Sequence, residues 1–162
     1  MAFTGIPAPP ETYKEGVLLF SRYAFVCAEE KLLRGDKRMS RWDFDWLKMI
    51  VEKKCQPNVV LLVYSFSNAH KSYQECQLCR ESGFRADFSR QSVSYHWQNH
   101  HGHTGDCAVK IVPIVSVIDT TSNLAVVIDG KIVCLPNIYN LDLKKGDKVS
   151  LHKNLPIEKV DE

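Results

Sequence analysis

CQLCRESGFRADFSRQSVSYHWQNHHGHTGDC, running from Cys76 to Cys107, is the stretch on which the reading of this chain turns. It holds four of the six histidines, His96, His100, His101 and His103, within eight positions, and it brackets them with Cys76, Cys79 and Cys107. Upstream of it, apolar residues recur at helical spacing. Downstream, β-branched runs alternate with turn residues. The polar stretch therefore separates a helical part from a strand-rich part, and the fold class expected is α+β.

Working upstream, VVLLVYSF (59–66) follows Pro57, is β-branched and apolar, and reads as a short buried strand leading to the Cys-x-x-Cys. Arg41 to Lys54 reads as an amphipathic helix. Ser40 followed three positions on by Asp43 has the form of an N-terminal cap, and Trp42, Trp46, Leu47, Ile50 and Val51 recur at helical intervals as core anchors. The segment Thr12 to Leu33 is either a helix stopped near Gly35 or a strand centred on VLLFSRYAFVC; periodicity supports both. Residues 1–11, with Pro7, Pro9 and Pro10, read as an extended lead-in.

Working downstream, residues 108–155 read as β-rich. AVKIVPIVSVI is strand-like with Pro113 inside it. LAVVIDGKIVCL sets Asp129-Gly130 between two apolar arms, the signature of a two-residue hairpin. A further turn at Lys145-Gly146 feeds a final strand. The architecture expected is a helical N-terminal part, a central Cys/His module over 74–107 and a C-terminal antiparallel meander or small barrel.

Length and composition bound the function. At 162 residues the chain is the size of one domain, and 44% hydrophobic with 25% charged residues is the balance of a globular protein, which excludes disordered and collagen-like classes. A net charge of +2 leaves any nucleic-acid argument to local patches. The N-terminus lacks a basic n-region, and Ser21 and Arg22 interrupt the run Val17 to Val26, so neither a signal peptide nor a membrane span is expected. The compartment implied is the cytosol or nucleus. There, six cysteines are thiols or metal ligands before they are disulfides. Cys27, Cys55 and Cys134 stand alone in or beside apolar segments and read as buried structural thiols.

Cys76 and Cys79 present two sulfurs to one ion, and His96 and His100, four apart, share a helix face, so the set Cys-x2-Cys-x16-His-x3-His suits Zn2+. His100, His103 and Cys107 compete for the second half of that shell, with VSYHW as a strand and HHGHTGDC as a loop in the alternative arrangement. Over residues 74–107 the pattern resembles a C2H2 zinc finger, with Val93 three before His96 where the family has a core aliphatic residue and Phe88 near the place of its core aromatic. It departs from the family in having 16 residues between the second cysteine and the first histidine, where about 12 are usual. The resemblance implies a structural zinc; surplus histidines and Asp106 leave a small metal-dependent nuclease as an alternative. Gly105-Asp106-Cys107 also resembles the nucleophile segment of chymotrypsin-like viral cysteine proteases, with His70 the upstream base on offer.

Two basic groups suggest a partner. KLLRGDKRMSRW carries Lys31, Arg34, Lys37, Arg38 and Arg41 against Asp36 and runs into Trp42; Arg80, Arg85 and Arg90 lie in the Cys/His module. Cations neutralise phosphates and aromatics stack on unpaired bases, so RNA or DNA is the expected partner, with a protein partner as the alternative. In general layout the chain is also similar to zinc-binding accessory proteins of RNA viruses that suppress host silencing or defence.

Overall fold

The N-terminal segment enters its first helix earlier than a proline-rich lead-in suggests. Helix α1 spans Pro10–Phe25. A proline in the first turn gives up only an N–H that has no intrahelical acceptor, so Pro10 starts the helix and does not delay it. The computed structural model describes residues 10–84, 87–99, 108–118 and 123–160, and the chain packs as two compact units, 1–101 and 102–162. Length alone suggested one unit. Each of the two builds a core of its own.

In the first unit, α2 (Ala28–Arg34) follows α1 and stops at Gly35, so the open reading of residues 12–33 resolves as two helices. Helix α3 (Arg41–Val51) is capped as its sequence predicts: Asp43 N–H donates to Ser40 Oγ and Asp43 accepts from Ser40 N–H, a complete capping box. Its buried face is Leu47, Ile50 and Val51. Trp42, expected in the core, is 67% exposed and rests edge-on against Trp46 at 4.9 Å. The buried stripe of α3 is centred on Leu47, and position 42 falls outside it.

The stretch 59–66 is a helix, not the strand expected from its β-branched composition: α4 spans Val59–Ser65. Asn58 Oδ1 accepts the Leu61 N–H at 3.0 Å and fixes the first turn. Leu61, Leu62 and Ser65 are then buried while Val60 and Tyr64 face outward, a helical period that burial enforces over strand propensity. Helices α5 (Ser67–Gln74), α6 (Gln77–Glu81) and α7 (Arg90–Asn99) complete the unit.

Aromatic rings fill its centre. Phe20 lies 5.2 Å from Trp97, 5.6 Å from Tyr73 and 5.7 Å from Phe88, and Tyr23 stacks on Trp97. Helix α1 comes so close to the segment before α7 that a methyl at Gly16 would overlap the Phe88 carbonyl. Only a glycine permits that approach.

The second unit is a five-stranded antiparallel sheet in the order β3-β2-β1-β4-β5. The strands are β1 (Lys110–Ile118), β2 (Asn123–Ile128), β3 (Lys131–Pro136), β4 (Lys148–His152) and β5 (Leu155–Val160). The β part thus extends beyond 155, to Val160. Strand β1 serves both halves of the sheet: Lys110 to Pro113 pair with β4, and after Pro113, where no N–H is available, the strand bulges between Ile114 and Ser116 and pairs with β2.

The Asp129-Gly130 hairpin forms as expected, with φ of 50° and 77° at its two central residues. The expected final strand is two strands, β4 and β5, joined at Lys153 and Asn154, which take φ of 52° and 63° without a glycine to mark the turn. Val112, Ile114, Leu124, Val126, Leu135, Leu143, Val149 and Leu151 form one buried aliphatic cluster. On β1, β2 and β4 they come in pairs two apart, which puts each pair on one face; Leu135 joins from β3 and Leu143 from the segment before β4. Cys134, expected to be buried, is exposed on β3, at the margin of the sheet.

Candidate metal centre

The link between α5 and α6 places the first ligand. The Cys79 N–H donates to Cys76 Sγ at 3.3 Å and the Arg80 N–H to the Cys76 carbonyl at 3.3 Å, so the Cys76 sulfur occupies the position that a serine or aspartate oxygen usually takes at a helix start. Cys79, one turn further along α6, is buried.

Two contacts hold α6 against α7. Phe84 stacks on Tyr95 at 4.5 Å, and the Ser82 and Tyr95 hydroxyls hydrogen-bond at 2.6 Å. Behind them, Ser89 caps α7 by accepting the Ser92 N–H at 3.2 Å, and Asp87 accepts from Ser89 N–H and Ser92 Oγ. The Tyr73 hydroxyl closes the network, 2.6 Å from Ser92 Oγ, and accepts the Phe88 N–H at 3.1 Å. Burial pushes the Tyr73 phenol far above its ordinary range, which keeps it neutral.

These supports bring His96 to the cysteines. His96 is 1% exposed on α7, packed edge-on against Tyr73 at 5.4 Å, with Nδ1 3.5 Å from Cys79 Sγ. The two sulfurs and one ring nitrogen all lie within 4.8 Å of one another, a group that could hold a metal ion. Burial, and after it the neighbouring Cys76, pushes the Cys79 thiol up to about 12. Such a thiol is a poor nucleophile at neutral pH, and a cation that displaces its proton removes the penalty.

Of the six residues singled out as ligands, Cys76, Cys79 and His96 are brought together; His100, His103 and Cys107 lie outside the described residues. Gly105 and Asp106, and with them the protease-like segment, also lie outside. VSYHW is part of helix α7 and not a strand. Val93 and Phe88 are fully buried. Among the described residues from 74 to 99 there are helices and turns, and no strand.

The basic residues divide. Lys31 and Arg34 converge on Asp36, each at 3.5 Å, and the Arg38 backbone N–H donates to the same carboxylate at 2.9 Å. That backbone bond first, and the lysine and arginine after it, holds Asp36 below the usual carboxylate range. Lys37, Arg38 and Arg41 are exposed, Arg41 paired with Asp45 at 3.3 Å. Arg80 donates to the Gln74 carbonyl and Arg90 is exposed at the start of α7, while Arg85 lies outside the described residues. The role of Asp36 as the hub of the basic run was not read from the sequence; an acid among five cations was the signal.

Compared with family models, curated proteins and solved structures, the chain matches none. Among the described residues no helix is long and apolar enough to cross a membrane.

Proposed function

We propose that this chain is a zinc-stabilised nucleic-acid-binding protein in which the ion is structural. The observation that carries the reading is the buried convergence of Cys76, Cys79 and His96. Zinc bonds of about 2.3 Å to sulfur and about 2.0 Å to nitrogen, at a tetrahedral angle, set a sulfur and a nitrogen about 3.5 Å apart. Cys79 Sγ and His96 Nδ1 stand 3.5 Å apart. Two thiolates and an imidazole favour zinc over calcium or magnesium, which take oxygen ligands. His100, His103 and Cys107 are the sequence's supply for a fourth ligand. Bound there, zinc would tie α6 to α7 by coordinate bonds, in addition to the Phe84–Tyr95 stack and the Ser82–Tyr95 hydrogen bond.

A structural role is favoured over hydrolysis by the donor set. A hydrolytic zinc needs an accessible water position and an acid or base beside it. Among the described residues the group contains no carboxylate, His96 and Cys79 are buried, and Asp87, between α6 and α7 in the chain, is engaged in capping α7. The nucleic-acid part of the reading rests on the exposed cations Lys37, Arg38 and Arg41 beside the exposed indole of Trp42, chemistry suited to phosphates and an unstacked base.

The test is binding of the zinc-loaded chain to single-stranded RNA and DNA as salt is raised. Phosphate contacts predict a linear fall of log affinity with log salt, with a slope of about −0.7 per contact on a single strand. Absent binding would overturn the nucleic-acid reading and favour a protein partner. Nuclease activity of the zinc-loaded chain would overturn the purely structural role.

A further inference from the structure

A cleft of about 350 Å³ opens in the helical unit between α2, α5 and α7. That is within the range of small-molecule sites, roughly 300–1,000 Å³. Phe66 and Trp97, both buried, line it, and Asn68 and Ser72 are exposed along α5. Lys31 and Arg34 complete the lining, which holds no carboxylate among the described residues. Asp36 holds the two cations by ion pairs, so they are positioned before any ligand arrives, and two positive charges against one negative leave an excess for an anion.

We infer that this cleft receives one nucleoside monophosphate unit, free or as an unpaired residue of a single strand. Its base enters the cleft against the rims of Phe66 and Trp97, since Lys31 lies over the Phe66 ring and Tyr23 stacks on Trp97, and its phosphate meets Lys31 and Arg34. The chemistry separates this ligand from a fatty acid, which would match the cations and apolar wall but leave the Asn68 amide unused. A planar base edge offers donors and acceptors that an amide and a hydroxyl answer. For the single-strand form the inference rests on the nucleic-acid reading above; for the free nucleotide it does not.

Cys27 lines the same cleft and supplies a reporter. The zinc-loaded full chain is treated with iodoacetamide in the presence of AMP, GMP, CMP or UMP, of the matching nucleosides, or of a single-stranded RNA decamer. Alkylation of Cys27 is read by peptide mass spectrometry, with the exposed Cys134 as control. Affinity is measured in parallel by calorimetry. At least one monophosphate is expected to slow Cys27 alkylation about tenfold at saturation while Cys134 is unaffected.

Ser72→Phe, which fills the cleft from an exposed position, is expected to abolish that protection. Asn68→Ala should weaken binding about tenfold, the equivalent of one well-made hydrogen bond. Arg34→Ala should weaken the monophosphate and leave the nucleoside unchanged. If no monophosphate or single strand protects Cys27, or if both Ser72→Phe and Asn68→Ala bind as the parent chain does, the inference is overturned. Protection by monophosphates without single-strand binding supports the cleft and sinks the nucleic-acid reading. Single-strand binding that needs Lys37 and Arg41 but ignores Ser72→Phe does the reverse.

Discussion

The two units of this chain solve the same stability problem with different materials. The β unit closes over an aliphatic cluster from Val112 to Leu151 and buries Ser150, His152 and Glu158 beside it. The helical unit surrounds rings and buries Cys79, His96 and Tyr73 among them. Aliphatic burial stabilises at any pH and without a cofactor. Buried thiols and imidazoles do so only when their polar atoms are satisfied, so a core that contains them is specified by what they bind. The difference lies in convergence: the helical unit gathers a buried thiol and a buried imidazole with a second sulfur within 4.8 Å, a grouping that the described residues of the β unit do not form.

If zinc joins Cys76, Cys79 and His96, its removal should have the largest effect, and on the helical unit alone. Structural zinc in small modules contributes on the order of 10 kcal/mol. Chelation, or Cys79→Ser, is therefore expected to abolish hydrogen-exchange protection through α6 and α7 while β1 to β5 keep theirs. Equal loss in both units would show that the two cores are not separately held.

Leu124→Ala is the reciprocal probe, since Leu124 is fully buried in the β cluster. It should cost about 2–5 kcal/mol in denaturant unfolding and leave metal stoichiometry unchanged. Gly16→Ala should destabilise the helical unit by about 1–3 kcal/mol, because α1 must move away from the Phe88 carbonyl. Alanine at Gly130, where a Cβ meets open space but φ is 77°, should act on the β unit alone.

A smaller effect concerns pH. Burial lowers the pKa of His70, whose ring stacks on Phe88 at 5.6 Å. A lowered histidine contributes stability that is present above its unfolded value near 6.5 and lost as pH falls through the folded value. His70→Phe keeps the stack and removes the titration, so its melting temperature should fall less steeply than the parent's below about pH 6.5; an unchanged slope would contradict this assignment. Cys134→Ser, at an exposed position, should shift stability by less than about 0.5 kcal/mol.

Much of this arrangement was legible in the sequence where local chemistry decides structure. Ser40 and Asp43 announce α3, Asp129-Gly130 announces its hairpin, and of the six Cys and His residues named as ligand candidates the described ones, Cys76, Cys79 and His96, stand together. What stayed illegible depends on partners distant in the chain. The stretch 59–66 has strand composition, and Asn58 with a buried helical face overrides it. Trp42 has the spacing of a core residue, but the packed face of α3 passes it by. The close approach of Gly16 to Phe88, and a cleft drawn from α2, α5 and α7, join residues that no local pattern connects.

The central claim is that Cys76, Cys79 and His96 share one zinc ion. Its most direct test is metal analysis of the purified chain with X-ray absorption at the zinc edge, for the parent and for Cys76→Ser. One zinc per chain is expected, with at least two sulfur neighbours at about 2.3 Å, and its loss in the variant. A chain without stoichiometric zinc, or one whose zinc is unaffected by Cys76→Ser, would contradict it.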